Sequence, residues 1–339
     1  MAFLGQDGGA NGLPNMLFMH SLTFSPGIKF EAIVYCIGAG GSGARGGQNS
    51  NYGFSGGGAG ATAISRLTLN SGVTYTVTIG AGGSSGSSSS QAVGAAGGAT
   101  TFEGSDITNM SANGGAAGAI ASGTEAAGAA GGAAGTTGNL ANYAGGASIA
   151  SGATRRCSGG GAVGLFATGF SGENVAYNAS YEAHAVGDGG SLHGSQGGGE
   201  YGDTDLKYGY HGGGDGFSTV MSPFSDLYTI TNGDSRAYAS STNRESAQNH
   251  YPANAQSFSG EGDDYERNAT NRYLHPAGAF AGGNSLYNSN DAFDYVYSGQ
   301  GTLGGGSGAV LNGSTSGTSE GYASKGGKGA VLIFPQSMG

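Results

Sequence analysis

The chain has 339 residues, of which 75 are glycine, while charged residues make up 10% and tryptophan is absent. Glycine loses more backbone freedom on folding than any other residue and weakens helices, so this composition excludes a conventional helical core. The formal net charge of -10 at pH 7 would be repelled by phosphate backbones, which argues against nucleic acid as a partner.

The aromatic content separates this chain from a flexible linker, which a composition rich in glycine, serine and alanine can also indicate. It contains 14 Phe and 18 Tyr, spread along its length, and several segments with strong strand character. A solvated linker needs neither. We therefore expect a folded protein.

The first strand candidates are Met16–Phe24 and Ile28–Ile37, in which β-branched and aromatic residues dominate. Pro26 and Gly27 supply a turn between them, so we expect a hairpin or two adjacent strands. The last candidate, Ala330–Phe334, is predicted to pair with the first strands.

A second hairpin is predicted around Asn70, Ser71 and Gly72. Ala61–Leu69 precedes these turn residues and Val73–Ile79 follows them, and the latter alternates bulky with small polar side chains as a half-buried strand does.

Between the strand candidates, glycine recurs at intervals of three. The clearest series are Gly40, Gly43 and Gly46, then Gly80, Gly83 and Gly86, then Gly132, Gly135 and Gly138. Three residues per turn is the period of a polyproline-II helix, and glycine on one face lets such helices pack closely. The predicted fold class is mainly β with little or no α-helix, an antiparallel strand framework with glycine-rich loops and polyglycine-II-like segments.

Three regions are expected along the chain. Residues 1–139 form a glycine-rich strand framework, residues 140–300 form a Tyr- and Asp-rich insertion that presents binding loops, and residues 301–339 return to the framework as a closing strand. The insertion holds most of the tyrosines and acidic residues.

The best enzymatic motif is the strand-like run Ile33–Ile37 followed by a GxGxxG pattern from Gly38 to Gly43. Dinucleotide binding needs a helix after the glycines and an acidic residue about 20 positions on. Ala44–Ser50 does not read as a helix, and no acidic residue occurs between Glu31 and Glu103. No cofactor is therefore predicted.

Metal and catalytic motifs are also weak. The six histidines show no metal-binding spacing. Two acidic groups could bind calcium but complete no loop pattern, and solvated loops are the simpler interpretation; these groups are Asp203 with Asp205, and Glu261 with Asp263 and Asp264. Paired carboxylates for glycoside cleavage could come from Asp226, Glu245, Asp263 and Asp264, which leaves a polysaccharide depolymerase open as a third interpretation. The chain is not expected to be an enzyme.

A binding surface is a better use of the Tyr-, Ser-, Asn- and Gly-rich insertion, because tyrosine offers a large rigid contact area and can stack on sugar rings. The predicted receptor-binding residues are Tyr201, Tyr208, Tyr210, His211, Tyr228, Tyr238, Tyr251, Tyr265, Tyr273, Tyr287, Tyr295 and Tyr297. Packing between glycine segments is the alternative role for any single one of them.

Several stretches resemble the glycine-rich domain of bacteriophage tail-fibre proteins and distal tail-fibre adhesins. They are Ser25–Gly41, Gly56–Ala63, Gly72–Gly83, Gly97–Phe102 and Lys328–Phe334, in the family's order and spacing. The resemblance covers residues 16–139 and 301–334 well and the insertion poorly. It implies a strand framework with glycine-rich loops at the end of a fibre, where variable loops between glycine segments carry host specificity.

This resemblance implies a virion protein that recognises a host surface glycan or an outer-membrane protein and contacts other fibre proteins. A structural component without receptor binding is the alternative, and an ice- or surface-binding glycine-helix protein is also open. Edge strands in the predicted N-terminal hairpin favour a partner chain, and we expect a homotrimer. Cys36 and Cys157 are too few for a disulfide framework, as in a protein assembled in the host cytoplasm. We expect no secretory signal and no membrane insertion.

Overall fold

The computed structural model describes residues 2–9, 13–47, 52–84, 86–88, 91–122, 126–150, 157–165, 167–172, 184–187, 265–267, 271–274, 280, 282–283, 285–288, 295–298, 300–301, 303–312 and 320–338. Strands, turns and extended segments make up these residues, with no helix among them. No helix in this part of the chain could therefore cross a membrane. The mainly β fold class predicted from the sequence is confirmed.

The largest sheet has six strands and is antiparallel throughout. In spatial order it contains β1 (Ala2–Gly9), β2 (Leu13–Phe18), β21 (Ala330–Met338), β4 (Phe30–Ile37), β7 (Thr62–Leu69) and β13 (Ala141–Tyr143). The closing strand β21 therefore lies between β2 and β4, which confirms the predicted pairing of the last strand with the first strands.

A four-stranded antiparallel sheet faces the large sheet. Its order is β11 (Met110–Ala112), β10 (Thr100–Gly104), β8 (Tyr75–Thr78) and β3 (Leu22–Phe24). Apolar residues alternate along β4, so that Phe30, Ala32, Val34 and Cys36 are buried between the two sheets. The four-stranded sheet contributes Tyr75 and Phe102 from its adjacent strands β8 and β10, and their rings are stacked with centroids 5.8 Å apart. We call this interface the sandwich core.

Neither predicted hairpin forms. Strand β21 separates β2 from β4, and the predicted strand Met16–Phe24 bends at His20, so that β2 and β3 belong to different sheets. Strands β7 and β8 likewise belong to the two facing sheets, joined at Gly72 with φ of 76°. Both strands bury apolar side chains in the sandwich core. They can do so from opposite sides of this core because they belong to different sheets.

The remaining strands are short and form three smaller sheets. The four-stranded sheet contains β14 (His184–Gly187), β17 (Ser285–Asn288), β19 (Val310–Asn312) and β5 (Arg45–Gly47). The five-stranded sheet contains β15 (Tyr265–Arg267), β16 (Asn271–Leu274), β18 (Tyr295–Tyr297), β20 (Glu320–Ala323) and β9 (Gly86–Ser88). A two-stranded sheet pairs β12 (Ile120–Ser122) with β6 (Tyr52–Phe54). Parallel pairs occur in the first two of these sheets.

Extended glycine-rich segments run between the sandwich and the small sheets and hydrogen-bond to one another. We call this body the glycine lattice; its described segments are 38–44, 55–61, 80–84, 91–99, 113–119, 126–135, 144–150, 157–164, 167–172, 303–309 and 324–329. The sandwich marks its proximal end, where β4 leads into segment 38–44. The small sheets mark its distal end, where the same segment leads into β5.

Segment 38–44 has neighbours on six sides, as expected when N–H and C=O groups project outward with a three-residue repeat. Its N–H groups donate in the pairs Gly38 to Ala61, Gly41 to Gly58, Ala44 to Ser55, Ala39 to Gly98, Ser42 to Ala95 and Gly40 to Gly327, at 2.8–3.0 Å. Its carbonyls accept in the pairs Ala39 from Gly115, Gly40 from Gly83, Gly41 from Ser307, Ser42 from Gly118 and Ala44 from Val310, also at 2.8–3.0 Å. The backbone of this buried segment is thus satisfied by other segments rather than by water.

Glycine is required in the lattice because the segments approach more closely than a side chain allows. A Cβ atom at Gly115 would lie 2.0 Å from the carbonyl oxygen of Gly58, and one at Gly60 would lie 2.0 Å from that of Gly38. Real Cβ atoms essentially never come within 3.0 Å of such a neighbour. Of the glycines in the predicted three-residue series, most also lie against backbone atoms; these are Gly40, Gly43, Gly80, Gly83, Gly132 and Gly138. Gly46 and Gly86 instead lie against side chains, and Gly135 is not crowded.

The lattice continues beyond residue 139, where the predicted insertion begins. Gly145 donates to Gly132 at 3.0 Å, Gly161 donates to Gly57 at 3.0 Å, and β13 pairs with β7. The described residues from 141 to 172 thus make the same contacts as the framework that precedes them.

A second apolar cluster covers the other face of the large sheet. Leu332 and Phe334 share this cluster with Ala59, Val163 and Leu303 of the glycine lattice. The lattice is therefore fixed to the sandwich by apolar contacts as well as by chain continuity.

The turn between β7 and β8 is held by a polar clamp. The N–H of Asn70 donates to Tyr75 Oη at 2.7 Å, and both Tyr75 Oη and Asn70 Nδ2 donate to Asp106 Oδ2, at 2.9 and 2.7 Å. Desolvation raises the pKa of Asp106, but the two side-chain hydrogen bonds outweigh it and place this pKa below its usual value. Burial raises the pKa of Tyr75 to about 12.

We expect Gly115→Ala to lower the free energy of unfolding by about 1–3 kcal/mol or more, the usual cost of overpacking. The new methyl group would meet backbone atoms of Gly58 and Ala59, and no flexible side chain can move away from it. Gly27→Ala is the matched control, because nothing lies within 4 Å of a Cβ at that position. Denaturant unfolding followed by circular dichroism measures both free energies. Equal stability of the two variants would contradict the close approach of segments 113–119 and 55–61.

The clamp also predicts a pH dependence. Because the pKa of Asp106 is lower in the folded state, its contribution is present above the unfolded pKa of about 4 and is lost as pH falls through the folded pKa. The unfolding free energy of the wild type should therefore exceed that of Asp106→Asn most near pH 6, and the difference should shrink toward pH 3. A difference that is constant over this range would exclude the carboxylate as its source.

Candidate functional site

The distal end gathers aromatic and polar residues at the tips of the glycine segments. Segment 80–84 leads toward β9, segment 303–309 leads into β19, and β20 leads back into segment 324–329. The two sheets that these strands form contact each other through β5, β19 and β20. We call them the distal sheets.

Three tyrosines occupy matching register positions on adjacent strands of the five-stranded distal sheet. The parallel pairing of β16, β18 and β20 sets Tyr273 opposite Tyr297 and Tyr297 opposite Tyr322. Two residues earlier, the same register aligns Asn271, Tyr295 and Glu320. The result is a ladder of aromatic positions flanked by amide and carboxylate residues.

The structure brings together part of the predicted receptor-binding set. Tyr265, Tyr273, Tyr295 and Tyr297 belong to the five-stranded distal sheet, and Tyr287 belongs to β17 of the other distal sheet. The predicted residues Tyr201, Tyr208, Tyr210, His211, Tyr228, Tyr238 and Tyr251 lie outside the described residues.

Tyr322, a half-buried residue in the closing segment, completes the ladder but is not among the residues predicted from the sequence. Its neighbours in the sequence are Gly321 and Ala323, so it does not lie in a local cluster of tyrosines. A register of parallel strands that are distant in sequence is needed to place it beside Tyr297.

Buried serines connect the distal sheets to the lattice. Ser307 Oγ accepts from the N–H of Gly43 at 2.9 Å and donates to the carbonyl of Ser324 at 2.7 Å. Ser324 in turn donates its N–H to Ser298 Oγ at 3.1 Å and its hydroxyl to the Ser298 carbonyl. Ser298 follows β18 directly and Ser324 follows β20 directly. Their hydrogen bonds therefore fix the ends of the two tyrosine-bearing strands.

Further serine hydroxyls hydrogen-bond to backbone groups within the lattice. Ser42 Oγ accepts from the N–H of Ala95 at 2.8 Å, and Ser55 Oγ accepts from that of Ala119 at 2.8 Å. Ser148 Oγ accepts from Ala129 at 2.7 Å and donates to Gly56 at 2.7 Å. Where a backbone partner is not in direct reach, a hydroxyl thus supplies the missing hydrogen bond.

A small apolar cluster supports the distal end, and we call it the distal core. Phe54, Cys157 and Leu311 are its largest members and are fully buried, with Ala44 and Ala309 beside them. The backbones of Phe54 and Cys157 form an isolated parallel β-bridge. Cys157 forms no disulfide, and its buried side chain packs with the apolar members of this core.

Arg45 provides a positive charge at the base of the distal sheets. Its guanidinium lies over Gly86, where a Cβ atom would be 2.6 Å from the arginine Cζ. One terminal nitrogen donates to the carbonyl of Val93 at 3.4 Å, and the buried Nε has no hydrogen-bond partner. Gly86 therefore provides the space that this side chain occupies.

The described residues contain no group of three or more His, Cys, Asp or Glu side chains that could hold a metal ion. The acidic residues considered for calcium and for glycoside cleavage lie outside the described part of the chain. The GxGxxG pattern lies in the central lattice segment 38–44, which leads into β5. The N–H groups of this segment donate hydrogen bonds to other segments. Those amides are therefore occupied and cannot cradle a pyrophosphate.

No family model matches the chain, and a search of curated proteins finds no match.

We expect Ser307→Ala to destabilise the protein by about 1–3 kcal/mol, because it leaves the buried N–H of Gly43 and the half-buried carbonyl of Ser324 without this partner. Thermal unfolding measures this change. Ser25→Ala is the control, since the Ser25 hydroxyl makes an exposed hydrogen bond to Thr74 and its loss should have little effect. Equal melting temperatures for the two variants would contradict the anchoring role of Ser307.

Proposed function

We propose that this protein is the receptor-binding tip of a bacteriophage tail fibre, that it has no catalytic step, and that the distal sheets form the centre of its contact surface. Its partners on this proposal are other tail-fibre proteins and a host surface glycan or outer-membrane protein, and its location is the virion. The homotrimeric assembly expected from the sequence belongs to the same proposal.

The observation that carries the proposal is the segregation of residue types along the lattice. Apolar side chains fill the proximal sandwich, glycine and alanine fill the lattice, and tyrosines are aligned at the distal end. A rigid scaffold that holds aromatic positions at one end suits recognition, because little conformational entropy remains to be lost on binding.

The two regions that resemble tail-fibre adhesins fold together, which also favours the proposal. Strand β21 inserts between β2 and β4, and segments 303–309 and 324–329 contact the central segment 38–44. The motifs distributed over residues 16–139 and 301–334 thus belong to one framework, in keeping with the implied strand scaffold.

Tyrosines in register suit a carbohydrate or a protein loop. Their rings offer apolar faces for stacking and hydroxyls for hydrogen bonds, and the neighbouring positions Asn271 and Glu320 add amide and carboxylate groups. No corresponding observation favours the depolymerase, because its candidate carboxylates lie outside the described residues.

The test is binding of the labelled, purified protein to a panel of intact bacterial isolates, followed by variants on a strain that binds. We expect Tyr273→Ala, Tyr297→Ala and Tyr322→Ala each to weaken binding about tenfold or more, as tyrosine contacts at interface centres do. Ile28→Ala is the control, because Ile28 is 44% exposed and precedes β4 at the proximal end. Its binding should equal that of the wild type.

The outcomes separate the alternatives. Saturable binding that the three tyrosine variants leave unchanged would move the contact surface away from the distal sheets. Absence of binding to every isolate by the folded, assembled protein would favour a structural virion component. Release of soluble saccharides during incubation would favour a depolymerase.

A further inference from the structure

In two lattice segments, residues with side chains are exposed to solvent at every third position. In segment 91–99 the exposed residues are Val93, Ala96 and Ala99, three positions apart. Val93 is 60% exposed. In segment 126–135, Ala127, Ala130 and Ala133 are exposed with the same spacing, and Gly128 and Ala134 are exposed beside them. We call these two rows the outer flank.

Several glycines in the same segments lie against neighbouring backbones and leave no room for a side chain. A Cβ atom at Gly94 would lie 2.0 Å from the Ser42 carbonyl oxygen, and one at Gly97 would lie 2.2 Å from that of Ala39. In segment 126–135, a Cβ atom at Gly131 would lie 1.9 Å from the Gly145 carbonyl oxygen. Side chains are thus absent where segments meet and present where the lattice ends.

The outer flank nevertheless offers donors to another segment. The N–H groups of Gly94 and Gly97 donate to segment 113–119, whereas those of Val93 and Ala96 have no backbone partner among the described residues. These unpaired groups repeat every three residues, about 9 Å apart along an extended glycine helix. Like the edge of a β-sheet, such a row can template the addition of another chain.

We infer that the side chains of the outer flank are a steric stop that ends the lattice and prevents a second glycine-rich chain from joining it. Segments inside the lattice meet at a separation that a single methyl group would prevent. A row of methyl groups every three residues therefore holds an approaching segment beyond hydrogen-bonding distance, while it adds little apolar surface.

Side chains also close edges of the two sandwich sheets. Asn139 Oδ1 accepts from the N–H of Arg66 at 2.9 Å, and its Nδ2 donates to the Arg66 carbonyl at 3.0 Å. Thr137 Oγ1 accepts from the N–H of Ser111 at 2.9 Å and donates to the Ser111 carbonyl at 3.0 Å. The short segment 137–139 thus hydrogen-bonds to both the N–H and the carbonyl of Arg66 on β7 and of Ser111 on the edge strand β11.

The test removes the stop while keeping the backbone. The triple variant Val93→Gly, Ala96→Gly, Ala99→Gly and the corresponding variant of Ala127, Ala130 and Ala133 open one row each. We expect the mass of each, measured by light scattering over a series of protein concentrations, to rise about twofold or more above that of the wild type, since a self-complementary face pairs with its own copy.

The matched control replaces Val93, Ala96 and Ala99 with serine, which keeps every Cβ atom and should leave the mass at the wild-type value. Circular dichroism checks folding, and the single substitution Ala96→Gly repeats the test with the smallest perturbation. Folded glycine variants that keep the wild-type mass at all concentrations would overturn the inference. So would a serine variant that associates as strongly as the glycine variants.

Discussion

Hydrogen bonding between backbones at a separation too short for a Cβ atom is the constraint on which the structure depends. In a β-sheet, each strand has two hydrogen-bonding neighbours, whereas segment 38–44 has six. This arrangement satisfies a buried backbone without an α-helix or a β-sheet. It requires glycine at each close approach, such as Gly60 against Gly38, and so it accounts for the composition of the chain.

The lattice cannot be stabilised by its hydrogen bonds alone. Ordering one residue costs roughly 1–2 kcal/mol of backbone entropy, and glycine costs more than the average residue, while a net hydrogen bond returns about 0.5–1.5 kcal/mol. The missing stability comes from apolar burial at the two ends. Phe18, Tyr75 and Phe102 are fully buried in the proximal sandwich core, and Phe54 is fully buried in the distal core.

The sequence predicts the elements of this fold better than their arrangement. Glycine spacing indicates extended three-residue helices, and the apolar strand candidates correspond to β4, β7, β8 and β21. Their pairing could not be read locally, because the turn at Asn70 to Gly72 resembles a hairpin turn but connects two facing sheets. What decides between these arrangements is the sandwich core, to which β2, β7 and β8 all contribute and which only the folded chain assembles.

The candidate site is subject to the same limit. A local excess of tyrosine predicted Tyr273 and Tyr297, but Tyr322 joins them only through the parallel register of β16, β18 and β20. The same is true of Ser307, which appears in the sequence as one more serine in a glycine-rich run and in the structure links Gly43 to Ser324. Residues whose role depends on contacts between distant segments leave no local pattern.

Segregation of residue types along one axis has a consequence for how such a protein can vary. A substitution in the lattice interior introduces a Cβ atom against a backbone carbonyl, as at Gly131, so the interior tolerates little change. In contrast, positions at the distal end are held by serine hydroxyls and a small apolar core beneath them. Residues on the distal strands can therefore change while the scaffold keeps its geometry, which is what recognition of changing surfaces requires.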